Sequence, residues 1–213
     1  MKKILLALCI ISMPLMAQSA DEKEVLKSIG KSKQVERSVN LAPKPIKSKK
    51  MGREITSAPS IMINKRSSIL EWKGGLKFIN NDHNGNLKIK GGNIYLQKDN
   101  KITGNIVINM MSMTNIDLPD SKKDYLIGHL RSEDFFHVDR YPIASLEISS
   151  SKILKKKSDG KYNMQISGDL TVKSTTKPIV FTALVDLDSD IKSATGTIEF
   201  NRADFDVQYR SEM

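Results

Sequence analysis

The sequence predicts an all-β protein: an antiparallel up-and-down barrel of about eight strands with one short helical excursion. Three observations support this class. Apolar residues recur with a period of two from residue 60 onward, the connections between these runs are short and rich in Gly, Asn and Asp, and one segment interrupts the alternation. Short turns require neighbouring strands to run antiparallel, and a closed barrel leaves no sheet edge exposed.

The predicted strands are runs in which every second residue is apolar. They cover residues 69–78, 86–90, 94–96, 102–110, 143–154, 162–172, 179–187 and 194–200. The predicted turns between them are the polar segments 82–85, 98–100, 158–160 and 188–190, which contain the residue types that favour tight turns. Together they describe a single domain over residues 60–213.

The helical excursion is predicted within residues 121–137. Pro119 lies before this segment and Pro142 after it, and its apolar residues no longer alternate. Gly128 is expected to divide it into one or two helical turns, because glycine is a poor helix former. We expect the segment to lie at the mouth of the barrel.

The N-terminal residues 1–19 have the pattern of a signal peptide. Two lysines precede the apolar stretch 4–11, and the small residues Ala17 and Ser19 follow at a spacing typical of a cleavage site. The predicted location is therefore periplasmic or secreted, after signal peptide removal and without a lipid anchor. Cys9 is the only cysteine and would leave with the leader, which excludes disulfides and cysteine-ligated metals from the processed chain.

The net charge of +10 is concentrated near the N-terminus. Residues 1–19 carry +2, residues 20–59 carry +5 and residues 60–213 carry +3. Residues 20–59 contain no Phe, Tyr or Trp, which predicts a basic, disordered tether. This tether either acts as a solvated spacer or associates with a membrane surface of anionic lipids. No nucleic-acid partner is expected, because no aromatic residue lies among these lysines for base stacking.

Several segments resemble the YceI-like family. The residues GHLRSEDFFHVDRYPIASLEI (128–148) are similar to its hallmark, and further similar pieces are collinear with it: Trp72, 83–85, 103–104, 168–173, 176–178 and 201–205. The resemblance covers roughly residues 66–210. It implies a lipocalin-like barrel, exported to the periplasm, that binds a polyisoprenoid or similar amphiphilic lipid such as an isoprenoid quinone, for carriage, storage or scavenging. The family has no established catalytic activity, so the resemblance implies a binding protein and not an enzyme.

The sequence departs from the family pattern at three places. Asp206 and Ser174 stand where family members usually have Gly, so both turns are expected to tilt. After Tyr209 the family generally continues into a final strand, whereas this sequence stops at Met213. We therefore expect that the closing C-terminal strand is missing, and an open barrel edge would favour a homodimer.

The predicted cavity lining consists of apolar residues on the alternating faces of the strands and in the helical segment. They are Ile106, Ile108, Met110, Leu126, Leu130, Phe135, Phe136, Met164, Ile166, Phe181, Ile198 and Phe200, with the two phenylalanines of the helical segment at the mouth. The alternative is that these side chains fill a solid core. The expected cargo is an isoprenoid lipid, with no cofactor.

An enzyme is the alternative to a carrier. His129, Glu133 and His137 are four residues apart, so an unbroken helix would place them on one face, where they could bind a divalent metal or act as acid and base. We favour a hydrogen-bonding role for His129 beneath the mouth, and expect neither a metal nor catalytic residues. Arg202 and Asp204 either pair with each other or position a lipid headgroup, and we favour the pairing.

Overall fold

The computed structural model describes residues 3–11, 59–76 and 79–207 of the chain. The strands are β1 Lys3–Ile11, β2 Ser60–Met62, β3 Ile69–Leu76, β4 Ile79–Leu96, β5 Ile102–Asn109, β6 Ile143–Lys156, β7 Tyr162–Val172, β8 Thr175–Asp186 and β9 Ser193–Asn201. The helix α1 spans Asp120–Arg131, and short 3₁₀ turns occur at Lys98–Asn100, Met110–Ser112 and Arg202–Phe205.

The strands form one antiparallel sheet that closes on itself. Its order is β2-β4-β3-β1-β9-β8-β7-β6-β5, and a further pairing joins β4 to β5. Eight strands therefore make a ring of pairings, and β2 pairs with β4 beside that ring. From β3 to β9 each strand pairs with the next along the chain, so the prediction of an antiparallel up-and-down barrel with one helix is confirmed.

Strand β1 lies between β3 and β9. It pairs with β9 from Lys3↔Asn201 to Ile11↔Ser193, and with β3 from Ile4↔Gly74 to Cys9↔Ile69. This pairing belongs to the chain before any processing, so removal of a signal peptide stays a prediction. In the described part of the chain, β1 is the strand that joins β3 and β9 in the sheet. The predicted tether and residues 208–213 lie outside the described residues, except for Pro59 at the end of the tether.

Side chains alternate between the two faces of each strand, and the apolar ones lie on the inner face of the ring. On β7, every second residue from Tyr162 to Ile166 and from Leu170 to Val172 is buried, while Gln165 and Asp169 between them are exposed. Each such aliphatic side chain contributes about 1.5–3 kcal/mol on burial. The same pattern on the other strands produces one continuous hydrophobic core.

The predicted turn at residues 82–85 is wrong. These residues lie inside β4, where Asn84 pairs with Lys73 and Gly85 pairs with Trp72. Glycine is required here for close approach, because a Cβ at Gly85 would overlap the carbonyl oxygen of Thr114. The turn-forming composition therefore reflects contact with a neighbouring segment.

The helical excursion is continuous, contrary to the expected division at Gly128. Helix α1 runs through that residue to Arg131 and ends at Ser132, whose extended backbone donates its N–H to the carbonyls of Gly128 and His129. A single glycine costs a helix only about 1 kcal/mol, which the packing of buried Leu130 offsets. In the part of the chain that the structure describes, no helix has the length and apolarity to cross a membrane.

Candidate functional site

The barrel holds an apolar cavity of about 60 Å³. Its walls come from β2 and from β4 to β9. The described lining residues are Ile61, Ile63, Ile94, Ile102, Ile106, Ile148, Ile166, Phe181, Ala183, Val185, Leu187, Lys192, Ser193, Ala194 and Gly196. Lys192 is the only charged residue in this set. The cavity is thus a site for an apolar group, with one cation at its edge.

The cavity lies toward the barrel end that carries the β4–β5, β6–β7 and β8–β9 hairpins, because Leu187 and Lys192 belong to the last of these. A polar cluster joins the three hairpins. The Asn100 amide donates to the Tyr162 hydroxyl at 3.0 Å, and the Lys156 ammonium lies 3.1 Å from that hydroxyl and 3.0 Å from an Asp188 carboxylate oxygen. Hydrogen bonds to Tyr162 and Asp188 raise the pKa of Lys156. This end of the barrel therefore has an ordered, charged rim.

Three of the predicted lining residues line this cavity: Ile106, Ile166 and Phe181. Two others, Ile198 and Phe200, line a second hollow between β8 and β9. Ile108, Met110 and Met164 are buried in the core but do not line either hollow. Which of these residues touch a ligand stays a prediction.

The four predicted lining residues of the helical segment line neither hollow. Leu130 and Phe136 are buried, and Leu126 and Phe135 are partly buried and pack against the core. The Phe135 ring lies 5.0 Å from that of Phe136, and the Arg202 guanidinium stacks 4.7 Å from the Phe135 centroid. The expected mouth at Phe135 and Phe136 is thus packed, opposite the hairpin end, next to the turn Arg202–Phe205.

Sequence reasoning missed most of the other lining residues. Ile102, Ile148, Ala183 and Val185 lie on predicted strands in the inward phase, so the alternation marks them as interior. Their position beside a void depends on strand register, which alternation does not determine. Ile61 and Ile63 come from the short β2 region, which no predicted strand covers.

The second hollow is a cleft of about 440 Å³ in the barrel wall. It lies where β8 and β9 separate, and residues of the turn Arg202–Phe205 complete it. Its apolar surface comes from residues such as Ile179, Ile198 and Phe205, and its polar surface from residues such as Lys177 and Asp204. Cleft and cavity thus share two strands of the barrel.

The structure does not bring His129, Glu133 and His137 together as one helical face. Helix α1 ends at Arg131, and His137 has a positive φ of 47°. The His129 ring contacts Phe135 edge-on at 5.8 Å, whereas that of His137 contacts Tyr141 at 5.9 Å. Among the residues described here, no three His, Cys, Asp or Glu side chains are grouped to hold a metal ion.

The Arg202 side chain contacts residues of the protein core and backbone. Its side chain is buried, donates from Nη1 to the Val207 carbonyl at 3.0 Å, and stacks on Phe135. Burial lowers the pKa of this guanidinium. Asp204 accepts a hydrogen bond from the Asn201 amide at 3.4 Å. These contacts connect the turn Arg202–Phe205 to the helical segment.

Comparison with sequence families gives a match to the YceI-like domain over residues 62–213. A UPF0312 protein of Ectopseudomonas mendocina is 33% identical over 73 residues, which are 34% of this chain and 34% of that protein. A UPF0312 protein of Photorhabdus laumondii is 34% identical over 85 residues, 40% of this chain and 37% of that protein. The chain spans just over a third of the length of these curated relatives.

Several solved structures are similar to this chain, among them the following two. A Campylobacter jejuni YceI protein has a TM-score of 0.34 and 24% identity, over 49% of this chain and 58% of that one. Burkholderia cenocepacia BcnA has a TM-score of 0.39 and 15% identity, over 59% of this chain and 92% of that one. The family assignment depends on the sequence match, which covers most of the chain. By that match over residues 62–213, the chain belongs to the YceI-like domain family.

Proposed function

We propose that this protein binds a polyisoprenoid or similar amphiphilic lipid inside its barrel and carries, stores or scavenges it. The observation that carries the proposal is the apolar cavity, in which only Lys192 among the described lining residues is charged. An apolar chain gains about 0.8 kcal/mol for each buried methylene. Several five-carbon units thus exceed the association cost of about 4–15 kcal/mol.

The cavity must enlarge for such a ligand. Sites for small molecules usually have volumes of about 300–1,000 Å³, whereas this cavity has about 60 Å³. Lipid binding therefore requires side chains such as Phe181 to change rotamer, or neighbouring strands to separate. The partly buried state of Phe181 leaves it room to move.

The hairpin end supports the amphiphilic character of the proposed ligand. A lipid whose chain occupies the cavity would place its headgroup near Lys192 and the cluster of Lys156, Tyr162 and Asp188. A cation at the edge of an apolar site favours an anionic or strongly polar headgroup.

Export belongs to the same proposal. The basic start and apolar run of residues 1–19 favour a signal peptide, which would give a periplasmic or secreted protein. The basic residues 20–59 then favour association with an anionic membrane surface, close to a source of lipid. We propose no catalytic role, because the three side chains of the enzyme alternative lie on both sides of the end of α1.

The direct test is mass spectrometry of the organic extract of the protein as purified after periplasmic expression without added lipid. We expect a long-chain isoprenoid in stoichiometric amount. A folded protein that contains no lipid, and that takes up none from vesicles doped with a polyprenyl phosphate or a quinone, would contradict the proposal.

Two neighbouring residues on β2 provide a matched pair of variants. Ile61 lines the cavity, whereas Met62 faces solvent with 73% of its surface exposed. We expect Ile61→Trp to reduce the bound lipid, because the indole fills part of the cavity, and Met62→Trp to retain it. Equal lipid content in both variants would place the ligand elsewhere. Circular dichroism of both variants controls for folding.

A further inference from the structure

Strands β8 and β9 are hydrogen-bonded to each other along only part of their length. These strands pair over four residue pairs, from Ala183↔Gly196 to Asp186↔Ser193. By contrast, β8 pairs with β7 along eleven pairs and β9 pairs with β1 along nine. Between residues 175–182 of β8 and 197–201 of β9, the described structure has no ladder, and the cleft of about 440 Å³ occupies this place.

The cleft gives solvent access to the inner face of the barrel. Inward residues of β7 such as Ile166 and Leu170 are fully buried. In the cleft, the inward residues Ile179 and Phe200 are only partly buried, whereas Ile198, which also lines the cleft, is buried. Solvent therefore reaches part of the inner face here, and the missing ladder between the two strands marks the opening in the wall.

The inner faces of β8 and β9 lead from the cleft to the cavity. On β8, Ile179 lines the cleft and the next inward residue, Phe181, lines the cavity. On β9, Ile198 lines the cleft and the preceding inward residue, Gly196, lines the cavity. One apolar stripe therefore extends from the wall opening into the barrel.

The β8–β9 ladder ends at the cleft with the pair Ala183↔Gly196, and both of these residues are small. A Cβ on Gly196 would lie 3.1 Å from the Cβ of Ala183, so the strands approach closely here with few side-chain atoms between them. Opening this last pair breaks one backbone pairing and little hydrophobic contact. Strand separation at this point would enlarge the cavity, as a bound lipid requires.

We propose that, in the chain with β1 in place between β3 and β9, the cleft between β8 and β9 is a lateral entrance through which the apolar chain of the ligand enters the barrel. This inference depends on the proposed lipid-binding function and adds the route. The cleft volume of about 440 Å³ is within the usual range of ligand sites, about 300–1,000 Å³. The polar residues at its edge, among them Lys177 and Asn201, would remain hydrated while the chain passes.

A disulfide across the cleft tests the entrance. Thr182 and Thr197 would form the next pair if the ladder continued, and both are exposed. The variant Thr182→Cys with Thr197→Cys, in a Cys9→Ser background, closes the wall when oxidised. The matched control is Leu184→Cys with Thr195→Cys, because these residues already pair and a disulfide there only fixes the existing seam.

The readout is the uptake rate of a fluorescent anthraniloyl-farnesol probe from phosphatidylcholine vesicles by the full chain. We expect oxidation to slow uptake by about tenfold or more in the closed variant. Dithiothreitol should restore it, and the control pair should match the parent. Equal rates in the oxidised and reduced closed variant would overturn the entrance while leaving lipid binding intact. Absence of uptake by the parent chain would overturn both.

A second pair of variants needs no disulfide. Ile179 lines the cleft from the inward face of β8, whereas the exposed Gln165 on the neighbouring strand β7 lines neither the cleft nor the cavity. Ile179→Trp should slow uptake because the larger ring obstructs the cleft, whereas Gln165→Trp should leave the rate unchanged. The lipid bound at equilibrium should be the same in both. If Ile179→Trp and Gln165→Trp take up the probe equally fast, the chain enters by another route.

Discussion

The Nδ1 atom of His83 lies 2.8 Å from Oδ2 of Asp117. The other carboxylate oxygen of Asp117 accepts the backbone N–H of Asn84 at 2.8 Å and the side-chain amide of Asn115 at 2.6 Å. Asp117 therefore connects the segment between β5 and α1 to β4. Nearby, the indole N–H of Trp72 donates to the Thr114 carbonyl at 2.9 Å. The segment that leads into the helix is thus attached to the barrel by hydrogen bonds.

Replacing Asp117 by Asn should destabilise the protein. The amide is neutral, so the hydrogen bonds from Asn84 and Asn115 are no longer charge-assisted, and the attraction between the carboxylate and His83 is lost. Hydrogen bonds to charged groups contribute about 1.5–3 kcal/mol, and we expect a loss of about 1.5 kcal/mol in the free energy of unfolding. Urea denaturation measures it. Asp124→Asn, at an exposed position of α1, serves as the control and should change little.

The contribution of Asp117 should depend on pH. Partial burial alone would raise the pKa of this carboxyl, but hydrogen bonds from Asn84, His83 and Asn115 and the charge of His83 lower it below its ordinary value of 3.8. A carboxyl whose pKa is depressed by folding stabilises the protein above its unfolded-state pKa. Its contribution disappears as the pH falls through the folded-state value. The stability difference between the parent chain and Asp117→Asn should therefore shrink as the pH falls below about 4. A difference that persists undiminished to pH 2 would contradict the assignment.

Replacing Asp206 by Gly should stabilise the protein. Asp206 has a φ of 58°, a left-handed conformation that costs an L-residue about 1–2 kcal/mol and glycine nothing. Glycine also increases the entropy of the unfolded chain, so we expect a net gain of about 0.5 kcal/mol. The Lys173 ammonium donates to the Asp206 carbonyl at 2.7 Å, and this contact would remain, whereas the ion pair at 3.7 Å between Lys173 and the exposed Asp206 carboxylate would be lost. Exposed ion pairs contribute little to stability. Thermal unfolding gives the comparison, with Asp204→Gly in the same turn expected to destabilise.

Deletion of residues 1–19 should promote self-association. Without β1, strands β3 and β9 lose the partner that each has in the structure, and their backbone N–H and C=O groups become free edges. Such edges pair readily with other chains. Sedimentation velocity should show a larger share of dimers or higher oligomers than for the full chain. A strictly monomeric truncated protein at all concentrations would show that the two edges are protected in another way.

The sequence was sufficient for the strand architecture but not for the arrangement of the site. The alternation around Met164 and Ile166 reports which face is interior, and this determines the barrel. Whether an interior residue lines a void depends on register and on gaps in pairing, as at Ala183 and Gly196, and these are set by contacts distant in sequence. Local composition predicts a turn at residues 82–85 for a similar reason, because the packing of Gly85 against Thr114 is not visible in it.

The pairing of β1 with β9 also determines the order in which the barrel can be completed. Lys3 is synthesised long before its partner Asn201. One edge of the N-terminal strand thus stays unpaired until β9 has left the ribosome. During that interval the apolar N-terminal segment is accessible to any factor that binds nascent chains, so ring closure and recognition of the leader compete in time.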